Sequence, residues 1–91
     1  MVTSIILINA QKSRINTIAE QLQSFPEISE VYSVSGKLDL IAIVRVATND
    51  DLALLVTKKM VDIEGIEKTE TMLAFKAYSR HDLESMFSLG M

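Results

Sequence analysis

The chain has no cysteine, no tryptophan, one histidine and one proline in 91 residues. Without cysteine there is no disulfide framework, no thiolate metal site, no cysteine nucleophile and no redox switch. A single histidine, His81, leaves a histidine-built metal site or a two-histidine mechanism unavailable within one chain. No metal or other cofactor is expected. Basic residues are few and scattered, nine against twelve acidic ones, for a net charge of −3. No stretch forms a cationic stripe, so direct nucleic-acid binding is not expected. Long hydrophobic runs are missing too. No apolar run, Ile5 to Ile8 included, is long enough to span a bilayer, and no basic segment leads into a signal peptide. The expectation is a cytoplasmic protein that makes no use of a membrane.

What is present is apolar. Hydrophobic residues make up 48% of the chain and the mean hydropathy is +0.25, which excludes disorder. A chain of this length forms one domain and buries about 60 to 65% of its unfolded surface. So much apolar surface on so small a domain implies a partner that covers part of it.

Residues 3 to 8, Thr-Ser-Ile-Ile-Leu-Ile, are β-branched and read as a strand that polar Asn9 to Ser13 ends. Ile15, Ile18, Ala19, Leu22 and Phe25 then fall on one helical face. Pro26 stops that helix. A second strand spans 29 to 35, and Ser35-Gly36-Lys37 is a hairpin turn in which Gly36 supplies a positive φ. Leu38 to Ala47 is the third strand. Thr48 or Asn49 caps a second helix, whose stripe is Leu52, Leu55, Val56, Met60 and Ile63, with Gly65 as terminator. Ile66 to Tyr78 is the fourth strand. The division is a domain over residues 1 to 79 and a tail over 80 to 91, whose Leu83, Met86 and Phe87 are spaced for a short helix.

The order strand, helix, strand, strand, helix, strand is two interleaved right-handed βαβ crossovers. The fold class is therefore α+β: a ferredoxin-like βαββαβ sandwich with a four-stranded antiparallel sheet, spatial order 4-1-3-2, and both helices on one face. Such a sheet is expected to be apolar on that face only. Here Ile6 and Ile8 oppose Ile5 and Leu7, and Leu40, Ala42 and Val44 oppose Ile41 and Ile43. Both faces are apolar, and the tail offers too little to cover the second. A two-fold dimer through the sheet is expected.

The topology predicts a polar end of the sheet. Ser35 to Lys37, Asp39, Asn9 to Gln11 and Gly65 to Thr71 are expected to gather there. Asp39 offers an acceptor for an ammonium group, and Thr69 and Thr71 point to one side with hydroxyls for a carboxylate or amide. This suits a small zwitterion. Each residue also has an ordinary structural reason: Gly36 serves the turn, threonine is common in strands, and Asp39 can cap the hairpin or pair with Lys37. There is no serine with histidine and carboxylate in strand-end positions, no phosphate-cradling glycine loop and no carboxylate pair in an apolar stretch.

Val34-Ser35-Gly36-Lys37-Leu38-Asp39-Leu40, the strand Ile41 to Val46, Asp51-Leu52 and Gly65-Ile66-Glu67-Lys68-Thr69-Glu70-Thr71 together resemble the effector-binding, or RAM, domain of the Lrp/AsnC transcription regulators, across nearly all of residues 2 to 78. The resemblance implies a ferredoxin-like domain that dimerises through its sheet and assembles further, tetramer to octamer, with amino acids bound between dimers. It implies that Gly36, Leu38 and Asp39 form the effector hairpin and that Thr69 and Thr71 form the far wall. An aromatic residue usual just before the hairpin aspartate is Leu38 here, which makes that wall more apolar. The regulators carry an N-terminal helix-turn-helix, whereas this sequence opens on its first strand and resembles the stand-alone version. The leading reading is an amino-acid-binding regulatory module, not an enzyme, that co-assembles with full-length regulators of the family. The alternatives are a dimeric α/β-barrel enzyme such as a small monooxygenase, and a structural interaction module without a ligand.

Overall fold

Isoleucines at alternate positions set the first strand's place at the centre of the sheet. The computed structural model describes residues 1–78. Its elements are β1 (Val2–Ala10), α1 (Ile15–Gln23), β2 (Ile28–Ser33), β3 (Leu40–Val46), α2 (Asn49–Leu54) and β4 (Ile66–Leu73). The strands form one antiparallel sheet in the order β2-β3-β1-β4, the expected order read from the other edge. β1 is flanked on both sides, and its buried residues alternate as its sequence does. Ser4 is fully buried among them and donates its Oγ–H to the Met72 carbonyl at 2.7 Å. A buried hydroxyl thus keeps a partner.

The register fixes which residues share a face. On one face run the rungs Val31–Ala42–Ile6–Thr71 and Ser33–Leu40–Ile8–Thr69. Ile6, Ile8, Leu40, Ala42 and Val44 of this face are fully buried against Ile18 and Leu22 of α1 and against Leu55 and Met60. Each large aliphatic side chain buried there contributes roughly 1.5 to 3 kcal/mol. On the other face run Tyr32–Ile41–Leu7–Glu70 and Glu30–Ile43–Ile5–Met72. No described element covers it. Ile5, Leu7, Ile41 and Ile43 are only half-buried, and Tyr32 and Met72 are exposed. The two-faced apolar pattern of the sequence is therefore a property of the folded sheet.

Several expected boundaries move, each for a local reason. β3 begins at Leu40 rather than Leu38, because the segment before it turns to cap β1. β4 ends at Leu73 rather than Tyr78. The bond from the Ala74 N–H to the Thr3 carbonyl, 2.9 Å, lies at the start of β1, where the partner strand runs out. β1 continues to Ala10, and a 3₁₀ turn at Lys12–Arg14 leads into α1. Thr48 caps α2 as expected, its Oγ1 accepting from the Asp51 N–H at 3.1 Å. The helix does not stay regular, however. Leu55–Lys59 is a π-helical turn and Met60–Asp62 a 3₁₀ turn. Thr57 Oγ1 donates to the Ala53 carbonyl at 2.7 Å, an i−4 bond that bends helices. The apolar stripe survives the change of pitch, with Leu55, Met60 and Ile63 buried. The expected tail helix with Leu83, Met86 and Phe87, the boundary at 79/80 and His81 lie outside the described residues.

Candidate functional site

The polar end of the sheet is built by β1 outlasting β3. Ile8 pairs with Leu40 at the first residue of β3, so the next β1 amide facing that side, at Ala10, has no strand carbonyl to meet. Asp39 supplies one: its Oδ2 accepts the Ala10 N–H at 2.8 Å, and its own N–H donates to the Ile8 carbonyl at 3.0 Å. Asn9 Nδ2 donates to the Lys37 carbonyl at 2.7 Å, fixing the loop that carries Gly36. Gly36 has φ +103°, the left-handed region that favours glycine, and nothing lies within 4 Å of where its Cβ would be. The turn, however, spans the six residues between β2 and β3 rather than three. On the other side of β1, the Gln11 N–H donates to the Gly65 carbonyl at 2.9 Å and Arg14 Nε to the Glu64 carbonyl at 3.2 Å. A Cβ on Gly65 would meet Arg14 Cδ at 2.9 Å and Ile18 Cδ1 at 3.0 Å. The hairpin, Asn9 to Gln11 and Gly65 thus gather as expected.

The threonines do not join the hairpin within one chain. Thr69 and Thr71 share the helix-side face, opposite Ile8 and Ile6, and lie across β1 from β3. Two strand spacings put them about 10 Å from the start of β3. Each opens into a different hollow along β4. Thr69 lines one of about 240 Å³ with Val56, Met60, Val61, Ile63 and Ile66. Thr71 lines one of about 330 Å³ with Leu52, Val56 and Leu73. Both exist because α1 packs on β2 and β3 and α2 on β1 and β3, and β4 has nothing better than half-buried along its length. Sequence reasoning missed these hollows. The signal was Val61, an apolar residue outside the buried stripe.

Among the described residues Asp39 is not Lys37's ion-pair partner; one oxygen of its carboxylate, Oδ2, is engaged by the backbone of β1. Two other carboxylates carry electrostatic consequences. Glu27, just before β2, takes a hydrogen bond from Lys59 Nζ at 2.5 Å, with the Phe25 ring 5.8 Å from the same ammonium. That bond holds the Glu27 carboxyl below its ordinary range, against the opposing pull of partial burial. On the open face, Tyr32 donates its hydroxyl to Glu30, and the carboxylate pushes the phenol up. Glu30 also faces Arg45 at 3.8 Å. Both clusters tie elements together. Among the described residues, no group of three or more His, Asp or Glu side chains is placed to hold a metal, and no helix is long and apolar enough to cross a membrane.

Comparison with known proteins gives this arrangement a family. The family model for the Lrp/AsnC ligand-binding domain matches residues 3–83. The HTH-type transcriptional regulator FL11 of Pyrococcus furiosus is 30% identical over 77 residues, 85% of this chain and 50% of that protein. The chain spans half or less of the length of the first curated relatives it matches, 39% and 50%. The crystal structure of TTHA0845 from Thermus thermophilus superposes with a TM-score of 0.81 at 41% identity, covering 88% of this chain and 100% of that one. The structure of E. coli AsnC shares the fold, with a TM-score of 0.79 at 23% identity, over 86% of this chain and 53% of that one. The curated relatives are named as transcription regulators, not as enzymes. On sequence, strand order and superposition alike, this chain belongs to the Lrp/AsnC ligand-binding domain family.

Proposed function

We propose that this domain is a regulatory module that binds an amino acid and acts as an oligomer built on its open sheet face. The observation that carries the reading is the family match through residues 3–83, which aligns this chain with about half of a transcriptional regulator. The effector site is the Gly36, Leu38 and Asp39 hairpin of one dimer facing Thr69 and Thr71 of another. The separation of the two groups across β1 supports this, since one chain holds each half but does not bring them together. The half-buried Ile5, Leu7, Ile41 and Ile43 support a sheet-to-sheet homodimer, with tetramers to octamers built from it. The same face would accept the corresponding domain of a full-length regulator, which is the route to co-assembly. The domain itself is residues 1 to 79, with 80 to 91 as its tail.

A thermal-shift screen against the twenty amino acids tests the effector. A ligand that binds only the native state raises its stability by mass action, so at least one amino acid is expected to raise the melting temperature in proportion to the logarithm of its concentration. No shift with any of them would hand the protein to the reading of a structural module without a ligand.

A further inference from the structure

β4 ends at Leu73, on the rim of the hollow of about 330 Å³ that Leu52, Ala53, Val56 and Thr71 line with it. The lining is largely aliphatic, and no described element covers it. Leu52 and Val56, one helical turn apart, are half-buried, Ala53 is exposed and Leu73 is 48% exposed. The hydroxyl of Thr57 at the same rim is already bonded to the Ala53 carbonyl. The chain also leaves β4 beside this hollow. Val2 pairs with Val46 and Ser4 with Leu73, so β1 begins where β3 and β4 end, and α2 follows β3 directly. The end of β4 and the first turn of α2, with its exposed Asp50 and Asp51, therefore lie at one end of the sheet.

Residues 79–91 continue from that end. Leu83, Met86 and Phe87 are spaced at i, i+3 and i+4, which puts them on one face of a helix. Ser79, with Asp82 three residues on, is a helix-start pattern. A helix this short is marginal alone in water, so its stripe needs an apolar surface to pack on. The stretch from Leu73 to Leu83 reaches up to about 33 Å when extended, at roughly 3.3 Å per residue, enough to leave the sheet and return. Met86 and Phe87 lie past residue 83, where the family match ends, so most of the stripe belongs to this chain and not to the matched domain.

We infer that residues 79–91 form a helix that packs on this hollow of its own chain, with Leu83, Met86 and Phe87 against Leu52, Val56 and Leu73. Three apolar side chains suit a hollow of this size; they are too few for the open face, which is four strands wide. Charge agrees with the placement, since Arg80 at the start of the tail is carried toward Asp50 and Asp51. The inference stands apart from the effector reading. Thr71 lines the same hollow, so a docked tail and an effector reaching Thr71 exclude each other, and the tail acts as a built-in competitor for that wall.

Paramagnetic relaxation enhancement on the full chain tests it, because a chain without cysteine accepts one unambiguous spin label. With the label on Ser88→Cys, the methyl resonances of Leu52, Val56 and Leu73 are expected to broaden most, and those of Ile5, Ile41 and Ile43 across the sheet much less. Phe87→Asp is expected to remove that selective broadening and to lower the melting temperature by about 4 °C or more. Ser85→Asp, on the opposite side of the helix, is expected to change neither. Broadening strongest at Ile5 and Ile41 would put the tail on the open sheet face and overturn the inference. A mixture of spin-labelled chains with isotope-labelled, spin-free chains separates the copies: broadening at Leu52 and Val56 of the spin-free chains would assign the tail to a second copy and overturn it too. Broadening that selects no residue would mean an undocked tail, with the same result.

Discussion

Asp39 Oδ2 accepts the Ala10 N–H at 2.8 Å and so takes the place of a strand carbonyl where β3 has ended and β1 continues. The bond is part-buried, so removing the acceptor leaves an amide without its partner. Such a loss costs about 1 to 3 kcal/mol. Asp39→Ala is expected to lower the unfolding free energy by about that much, and Asp39→Asn, which keeps a side-chain carbonyl, by less. Urea denaturation of the three proteins measures it. Equal midpoints for wild type and Asp39→Ala would show that water replaces the carboxylate at no loss.

The two positive-φ glycines should respond differently to the same change. Gly36→Ala places a Cβ in open space, and only the left-handed backbone opposes it, by roughly 1 to 2 kcal/mol. Gly65→Ala adds contacts at 2.9 Å with Arg14 Cδ and 3.0 Å with Ile18 Cδ1. Arg14 can move; Ile18 is fully buried in the core and cannot do so freely. Gly65→Ala is expected to be the more destabilising of the two in thermal melts. Equal losses would mean that α1 yields easily at its first turn.

The Glu27–Lys59 pair predicts an acid limb. Glu27 is held below its ordinary range by the Lys59 hydrogen bond, so its folded form prefers the carboxylate. Its contribution is therefore complete above the ordinary carboxylate range, about pH 4 to 4.5, and is lost as the pH falls from there through the lower folded value. The Lys59 side chain is 38% exposed, and solvent screening limits the pair to about 1 kcal/mol at most. Glu27→Gln is expected to be less stable than wild type at pH 7 and to approach it as the pH drops below 4. Denaturation midpoints from pH 7 to pH 3 follow this; a gap that stays constant with pH would assign the loss to packing instead.

The fold was legible because its signals are local and mutually consistent. Alternation at Ile5 to Ile8, the 3.6-residue stripe at Ile15 to Leu22 and Pro26 each name an element, and handedness leaves few topologies for that order. Thr48 was readable as a cap because capping is decided within four residues. The role of Asp39 was not, because it depends on β1 being longer than β3, a fact of pairing between distant segments. The π turn was hidden for a similar reason: Leu55, Met60 and Ile63 fit a regular helix on spacing, and only their packing against the sheet shows the changed pitch. The site residues were legible as types, but periodicity could not tell which face Thr69 and Thr71 would share, and that depends on register.

Strand parity also left open which of two apolar faces lies under the helices, and the register now separates them. Ile6 is fully buried beneath the helices, whereas Ile41 sits on the open face, half-buried between Tyr32 and Leu7. The two positions make opposite predictions for the same substitution. Ile6→Lys forces an unpaired ammonium into the core, which costs several kcal/mol, and is expected to abolish the cooperative thermal transition. Ile41→Lys places the ammonium where a lone chain lets it reach water along a flexible stem. That variant is expected to keep a folded circular dichroism spectrum and to become a monomer, because in a sheet-to-sheet dimer the same charge would lie in an apolar seam with Ile5, Leu7 and Ile43. Light scattering at micromolar concentration reads the mass of each. A wild-type protein that is already a well-behaved monomer, or an Ile41→Lys variant that keeps the wild-type mass, would place the oligomer contact elsewhere on the molecule.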